Sequence, residues 1–184
     1  LSEGVPRLAW EELPQELADA LRPRVARLGY LGEFFRCAAH QPSALLSFMR
    51  FTDDLKQALP DDVTEVVALS VAVLLRNDYE RHQHERLCRK LGFSDDWIRA
   101  ACAREARDEA ALAPDLGTAK ALARAVVLRQ GHGVDAELGA ALKAFGPAQA
   151  IAILLLVGRY VTHGLVVNAL ALEPPVASIF EEHA

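Results

Sequence analysis

The sequence predicts an all-α fold of about eight helices. Three observations carry that prediction. Alanine and leucine recur at helical spacing along most of the chain. Glycine and proline fall between the periodic segments. No run of alternating β-branched residues is long enough for a strand.

The elements follow in order. "PQELADALRPRVARLG" reads as a helix broken or kinked near Pro23 and stopped near Gly29. "GEFFRCAAH" is helical and ends before Pro42. "PSALLSFMRFTDDLKQAL" opens at Pro42-Ser43 and places Leu45, Leu46, Met49 and Leu55 at helical spacing, until Pro60 breaks it. "DDVTEVVALSVAVLLR" begins with acids that favour a helix N-terminus. It is apolar on nearly every side, so it is the expected central helix. "NDYERHQHERLCRKLG" is capped by Asn77 or Asp78 and terminates at Gly92 after Arg89 and Lys90. Ser94 caps "DDWIRAACAR", "DLGTAKALARAVVLRQ" is a further helix ended by "GHG", and "DAELGAALKAF" stops at Gly146-Pro147. A long last helix runs to about Leu172, and "EPPVASIFEEHA" follows as an extended tail from about residue 173 to 184. The whole, 1–184, is read as one domain with its motif region at 50–98.

Composition narrows the function. Apolar residues make up 52% of the 184, enough for a substantial core. The net charge is −5, from 20 basic and 25 acidic residues without a basic block, which argues against a nucleic-acid partner. Cys37, Cys88 and Cys102 form no CxxC pair, a pattern that fits a reducing, cytoplasmic compartment. The opening "LSEGVPRLAWEELP" lacks the basic start and apolar core of a signal peptide. The most apolar stretch, Ala148–Gly158, is about half the ~20 residues a membrane span needs, and Arg159 follows it. It is read as a buried helix, with no membrane partner.

The richest chemistry lies in "NDYERHQH", Asn77–His84. On a helix, Glu80 and His84 are four apart and share a face, with Cβ atoms ~5–6 Å apart. His82 is turned ~200° from Glu80 and points away. A Glu-x-x-x-His pair supplies two metal ligands, and zinc needs three or four protein ligands. No metal or cofactor is therefore called for. A carboxylate beside an imidazole fixes its tautomer and raises its pKa, which makes a proton-transfer pair if both line a pocket. The plainer alternative is a surface pair worth a few tenths of a kcal/mol. Glu65, in the apolar "TEVVALSVA", needs a partner if it is buried and none if it is a first-turn acid.

The spacing Glu65-x11-Asn77-x2-Glu80-x3-His84 resembles the carboxymuconolactone decarboxylase superfamily, which includes the AhpD-like alkylhydroperoxidases. Peroxidase members read Glu-x11-Cys-x2-Cys-x3-His, with thiol chemistry at the cysteines and a proton relay through Glu and His. Here Asn77 and Glu80 stand at the cysteine positions, while Glu65 and His84 match. The resemblance covers about Arg50–Ile98, and more loosely "GRYVTHGLVVNALALE". It implies an AhpD-like multi-helix fold and a homo-oligomer, whether dimer, trimer or hexamer. The Glu80 substitution points to the decarboxylase-like branch, which acts on carboxylated enol-lactones.

The resulting expectation is cofactor-independent acid–base chemistry on a small carboxylated or carbonyl compound. His84 transfers the proton, Glu80 orients it or acts with it, and Glu65 is the buried partner. The substrate carboxylate calls for a cation, and Arg50, Arg76 and Arg81 are near in sequence. Asn77 is either a helix cap or a pocket group. Tyr79 either donates to a substrate oxygen or packs beneath the helix. His163 either joins the site from a neighbouring helix or is a core histidine. Two alternatives stand beside this reading: a thiol peroxidase using Cys88, and a non-catalytic oligomeric binding protein.

Overall fold

The computed structural model describes residues 4–104 and 108–181. Among these there are eight α-helices and no strand. A 3-10 turn at Trp10–Glu12 leads into α1 (Gln15–Leu28), α2 (Glu33–Ala38) and α3 (Pro42–Ala58). Then come α4 (Asp61–Leu74), α5 (Asp78–Lys90), α6 (Asp95–Cys102), α7 (Pro114–Leu128) and α8 (Asp135–Ala169).

The central helix is α4, as its all-round apolar surface requires. Every residue from Val63 to Ala72 is buried, and α5, α6, α7 and α8 all pack on it. Around it forms the larger apolar cluster, with Leu69, Leu122, Ile153 and Leu156 at its heart. A second cluster joins α1, α2 and the first half of α3 through Leu17, Leu21, Phe34 and Met49. Tyr79 and Val167 close it from α5 and α8.

Two features depart from expectation. The break at Pro23 does not occur: α1 runs through it and ends at Gly29, whose φ of 84° is the left-handed C-terminal conformation. Proline removes a single amide donor, and the turn after it is held by Arg24, bonded to Asp53 of α3 at 2.5 Å. The expected extended tail is instead a packed strap. Its backbone is irregular, but Ile179 is 1% exposed and joins the main cluster. Residues 182–184 of that tail lie outside the described residues.

Two glycines shape α8. Gly146, at φ 73° and ψ 171°, breaks it in two, at the predicted stop. Gly164 lets the second half cross the corner between α4 and α5. A Cβ there would meet Leu75 Cδ1 at 2.7 Å and Asn77 Nδ2 at 3.2 Å. Asn168 fastens the crossing by donating to the Leu75 carbonyl at 2.9 Å. By length and composition α8 would also span a membrane, but 50% of its most apolar window is buried in the protein.

Candidate active site

The site begins with the cap of α5. Asn77 Oδ1 accepts from the Glu80 amide at 3.1 Å, which fixes the first turn and hence the face that Glu80 presents. Asn77 is thus a helix cap. It does not line the cavity, and the pocket role expected for it is not found.

One turn on, His84 lies between two carboxylates. Its Nδ1 is 2.5 Å from Glu65 Oε2 on α4, and its Nε2 is 3.4 Å from Glu80 Oε2. All three residues are buried. The expected shared face of Glu80 and His84 is present, and Glu65 has its partner. His82 points the other way: its Nδ1 meets the Val176 carbonyl at 3.0 Å.

Glu80 is further surrounded from α8. Arg159 Nη1 is 3.5 Å from Oε2, and His163 Nδ1 is 3.3 Å from Oε1. Arg159 is itself held by Thr52, whose hydroxyl accepts from its Nε at 3.0 Å. Its guanidinium lies 4.3 Å from the centre of the Tyr160 ring and 5.0 Å from that of Phe48.

Charge is distributed unevenly across this cluster. Burial alone would lower the pKa of His84, but Glu65 and Glu80 raise it to about 9. Burial pushes Glu65 up, and the charge and hydrogen bond of His84 more than reverse this. Burial likewise pushes Glu80 up, and His163, His84 and Arg159 bring it below the usual carboxylate range. His163 goes the opposite way, down to about 4, because burial outweighs the pull of Glu80. At neutral pH the cluster is an imidazolium between two carboxylates, with a neutral His163 alongside.

Glu80, His84, Arg159, Tyr160 and His163 line one cavity of about 410 Å³, open between α1, α3 and α5. Its wall is rich in cations: Arg24, Arg27, Lys56, Arg86, Lys90 and Arg159, against Asp53 and Glu80. This contrasts with the −5 of the whole chain. Lys56 lies in the field of Glu65, Glu80, Arg159 and Arg27, and burial lowers its pKa. Tyr79 reaches the cavity, but its hydroxyl accepts from the Phe34 amide at 3.3 Å and its ring packs in the second cluster. His163 does enter the site, with its ring centre 4.0 Å from that of Phe34.

The cations expected from sequence are elsewhere. Arg81 pairs with Asp78 at 2.9 Å and Glu85 at 3.0 Å, on the far side of α5. Arg76 sits in the turn after α4, and neither it nor Arg50 lines the cavity. Arg159 and Lys56 take that place instead. The signal for Arg159 was present: a charge, followed by Tyr160 and His163, inside the most apolar helix.

The thiols are sited differently. Cys88 is 0% exposed and lies 3.7 Å from Glu65 Oε2. Burial and that carboxylate drive its pKa far up, and it does not line the cavity. Burial also pushes Cys102 up to about 12 and raises Cys37. Among the described residues, no group of three or more His, Cys, Asp or Glu is arranged to hold a metal ion.

Comparison with known proteins agrees with this architecture. Residues 42–125 match the model of the carboxymuconolactone decarboxylase family. An uncharacterized peroxidase-related protein with an alkylhydroperoxidase AhpD core, from Ralstonia eutropha JMP134, superposes with a TM-score of 0.80 at 15% identity. That alignment covers 92% of this chain and 90% of the other. An uncharacterized peroxidase-related protein from Silicibacter sp. TM1040 gives 0.79 at 16% identity, over 96% and 94% of the two chains. No curated protein shows a significant match. The matched region contains Glu65, Asn77, Glu80 and His84 and resembles the carboxymuconolactone decarboxylase family without paired cysteines, while the helices as a whole take the AhpD-like all-α fold.

Proposed function

We propose that the protein catalyses cofactor-independent proton transfer on a small carboxylated or carbonyl compound, with decarboxylation as the overall reaction. The observation that carries this reading is the chain Glu65–His84–Glu80 opening into a cation-rich cavity. Arg159 and Lys56 receive the substrate carboxylates. Loss of carbon dioxide leaves the electron pair of the broken C–C bond in a conjugated enolate. His84, charged at neutral pH, supplies the proton that ends on carbon, directly or through Glu80. Glu65 holds the ring by its other nitrogen and recovers the charge balance. The buried setting strengthens each of these interactions.

The thiol-peroxidase alternative requires a low-pKa thiol within reach of substrate. Cys88 has the reverse environment, so the acid–base reading is preferred. The test is carbon dioxide release from a panel of enol-lactone acids and oxo acids, with the wild type, Glu80→Gln and His84→Gln. Release abolished in both variants supports the reading. Equal release in all three, or peroxide consumption lost only in a cysteine-free variant, sinks it.

We also place the protein in the cytoplasm as a homo-oligomer. The surface for a second copy is the outer stripe of α8, where Ile151, Leu155 and Leu165 are 53%, 46% and 55% exposed at helical spacing. Sedimentation of Leu155→Glu as a smaller species than the wild type is the expected result.

A further inference from the structure

Two buried polar atoms lie unused beside the proton-transfer chain. Among the described residues, the Tyr160 hydroxyl and His163 Nδ1 have no hydrogen-bond partner, although the residues are only 2% and 4% exposed. A buried polar group left unpaired is costly, so each such group calls for an explanation. Both residues line the cavity and sit one turn apart on α8. His163 has Glu80 within 3.3 Å, in a geometry that makes no hydrogen bond. Tyr160 has no such neighbour: its ring meets His84 edge-on, with centroids 5.3 Å apart, and Arg159 lies over its face.

We propose that the Tyr160 hydroxyl is the hydrogen-bond donor to an oxyanion on the substrate, so that the substrate is an acid whose departing carboxylate lies β to a carbonyl or is conjugated with one. The inference rests on the acid–base reading above and extends it to the atom that holds the developing charge. When the C–C bond to the carboxylate breaks, its electron pair forms a C=C bond and the carbonyl π pair moves onto oxygen. The O–H of Tyr160 bonds that oxygen, with the Arg159 guanidinium nearby. The pair then returns through the C=C bond to take the proton from His84, restoring the carbonyl. The hydroxyl stays protonated throughout, because burial holds its pKa well above 10. A preorganised donor of this kind acts where charge develops and not on the ground-state carbonyl.

The test separates this role from packing. Tyr160→Phe removes the oxygen and keeps the ring. With 4-nitrophenol as an oxyanion probe, the wild type binds the phenolate in preference to the phenol, and the variant loses at least about tenfold in phenolate affinity. In any acid the wild type decarboxylates, kcat falls by ~10²–10³ with little change in KM. The thermal midpoint holds or rises, since no internal partner is lost. Unchanged phenolate affinity in Tyr160→Phe, or failure of the wild type to bind phenolate, overturns the proposal. So does a lowered midpoint, which would give the hydroxyl a structural partner. Phenolate binding does not depend on turnover. Wild-type turnover in His84→Gln together with lost phenolate affinity in Tyr160→Phe would refute the acid–base reading and leave the oxyanion site standing.

Discussion

The two faces of α5 carry the same residue types and use them differently. On one face, Glu80 and His84 are paired with each other and with Glu65, and they open into the cavity. On the other, Glu85 and His82 are tied to fixed partners. Glu85, fully buried, accepts from Ser178 Oγ at 2.7 Å and from the Ile179 amide at 3.2 Å, and pairs with Arg81 at 3.0 Å. His82 meets the Val176 carbonyl at 3.0 Å, and Arg86, from the cavity wall, donates to the neighbouring Ala177 carbonyl at 3.0 Å. A buried charge whose partners are backbone and fixed side chains is structural. One whose partners are other titratable groups around a cavity can move a proton. Composition does not separate the two faces, and partners do.

His84→Gln should disable the cavity face of α5. Turnover should fall by ~10²–10⁴, as for loss of a general acid, in a steady-state assay on any acid the wild type decarboxylates. Glu85→Ala should break the other face. Removing one partner of a buried, bonded charge costs about 3–5 kcal/mol, to be read from denaturant midpoints, while the turnover of the folded fraction changes far less. The pH dependence comes next. His84 is raised from an ordinary ~6.5 to about 9. Its stabilisation is therefore fully present below ~6.5 and lost as pH rises through about 9, and turnover that needs the imidazolium falls over the same alkaline range. Glu65 and Glu80 are lowered, so their contribution is present above ~4.3 and lost as pH falls through their folded values. Calorimetry and a kcat/KM profile across this range would show both limbs. The smallest effect belongs to Asp78→Ala. Its exposed pair with Arg81 should be worth less than about 1 kcal/mol and leave activity untouched.

Much of α5 was legible in the sequence. Period 3.6 separates Glu80 and His84 from His82, and the structure keeps that separation. Asn77 is a short polar residue before an acid-rich turn, and it caps the helix. A carboxylate in so apolar a helix needs a partner only if it is buried, and Glu65 is buried with His84 as that partner. The groups arriving from elsewhere were less legible. Lys56 and Thr52 come from α3, and Arg159 and Tyr160 from α8. Helical periodicity says which residues share a face, but not which helix that face meets. The same limit explains the misplaced cations: Arg81 is adjacent to Glu80 in sequence, yet its side chain runs to Asp78 and Glu85. A histidine in so apolar a helix is conspicuous, and His163 does reach Glu80, whereas the Tyr79 hydroxyl is taken up by the Phe34 amide and its ring by packing.

The strap has a kinetic consequence. His82 and Val176 are separated by 94 residues, Glu85 and Ser178 by 93. Val176 also forms part of the cavity wall. The docking of α8 on α4 closes a loop of the same length, since Asn168 and Leu75 are 93 residues apart, and it carries the start of the strap toward α5. The clasp is unfavourable until that docking has shortened the distance, so it belongs to the final stage of folding. A refolding experiment should find helical signal returning before ligand binding, with the interval set by the docking of the strap.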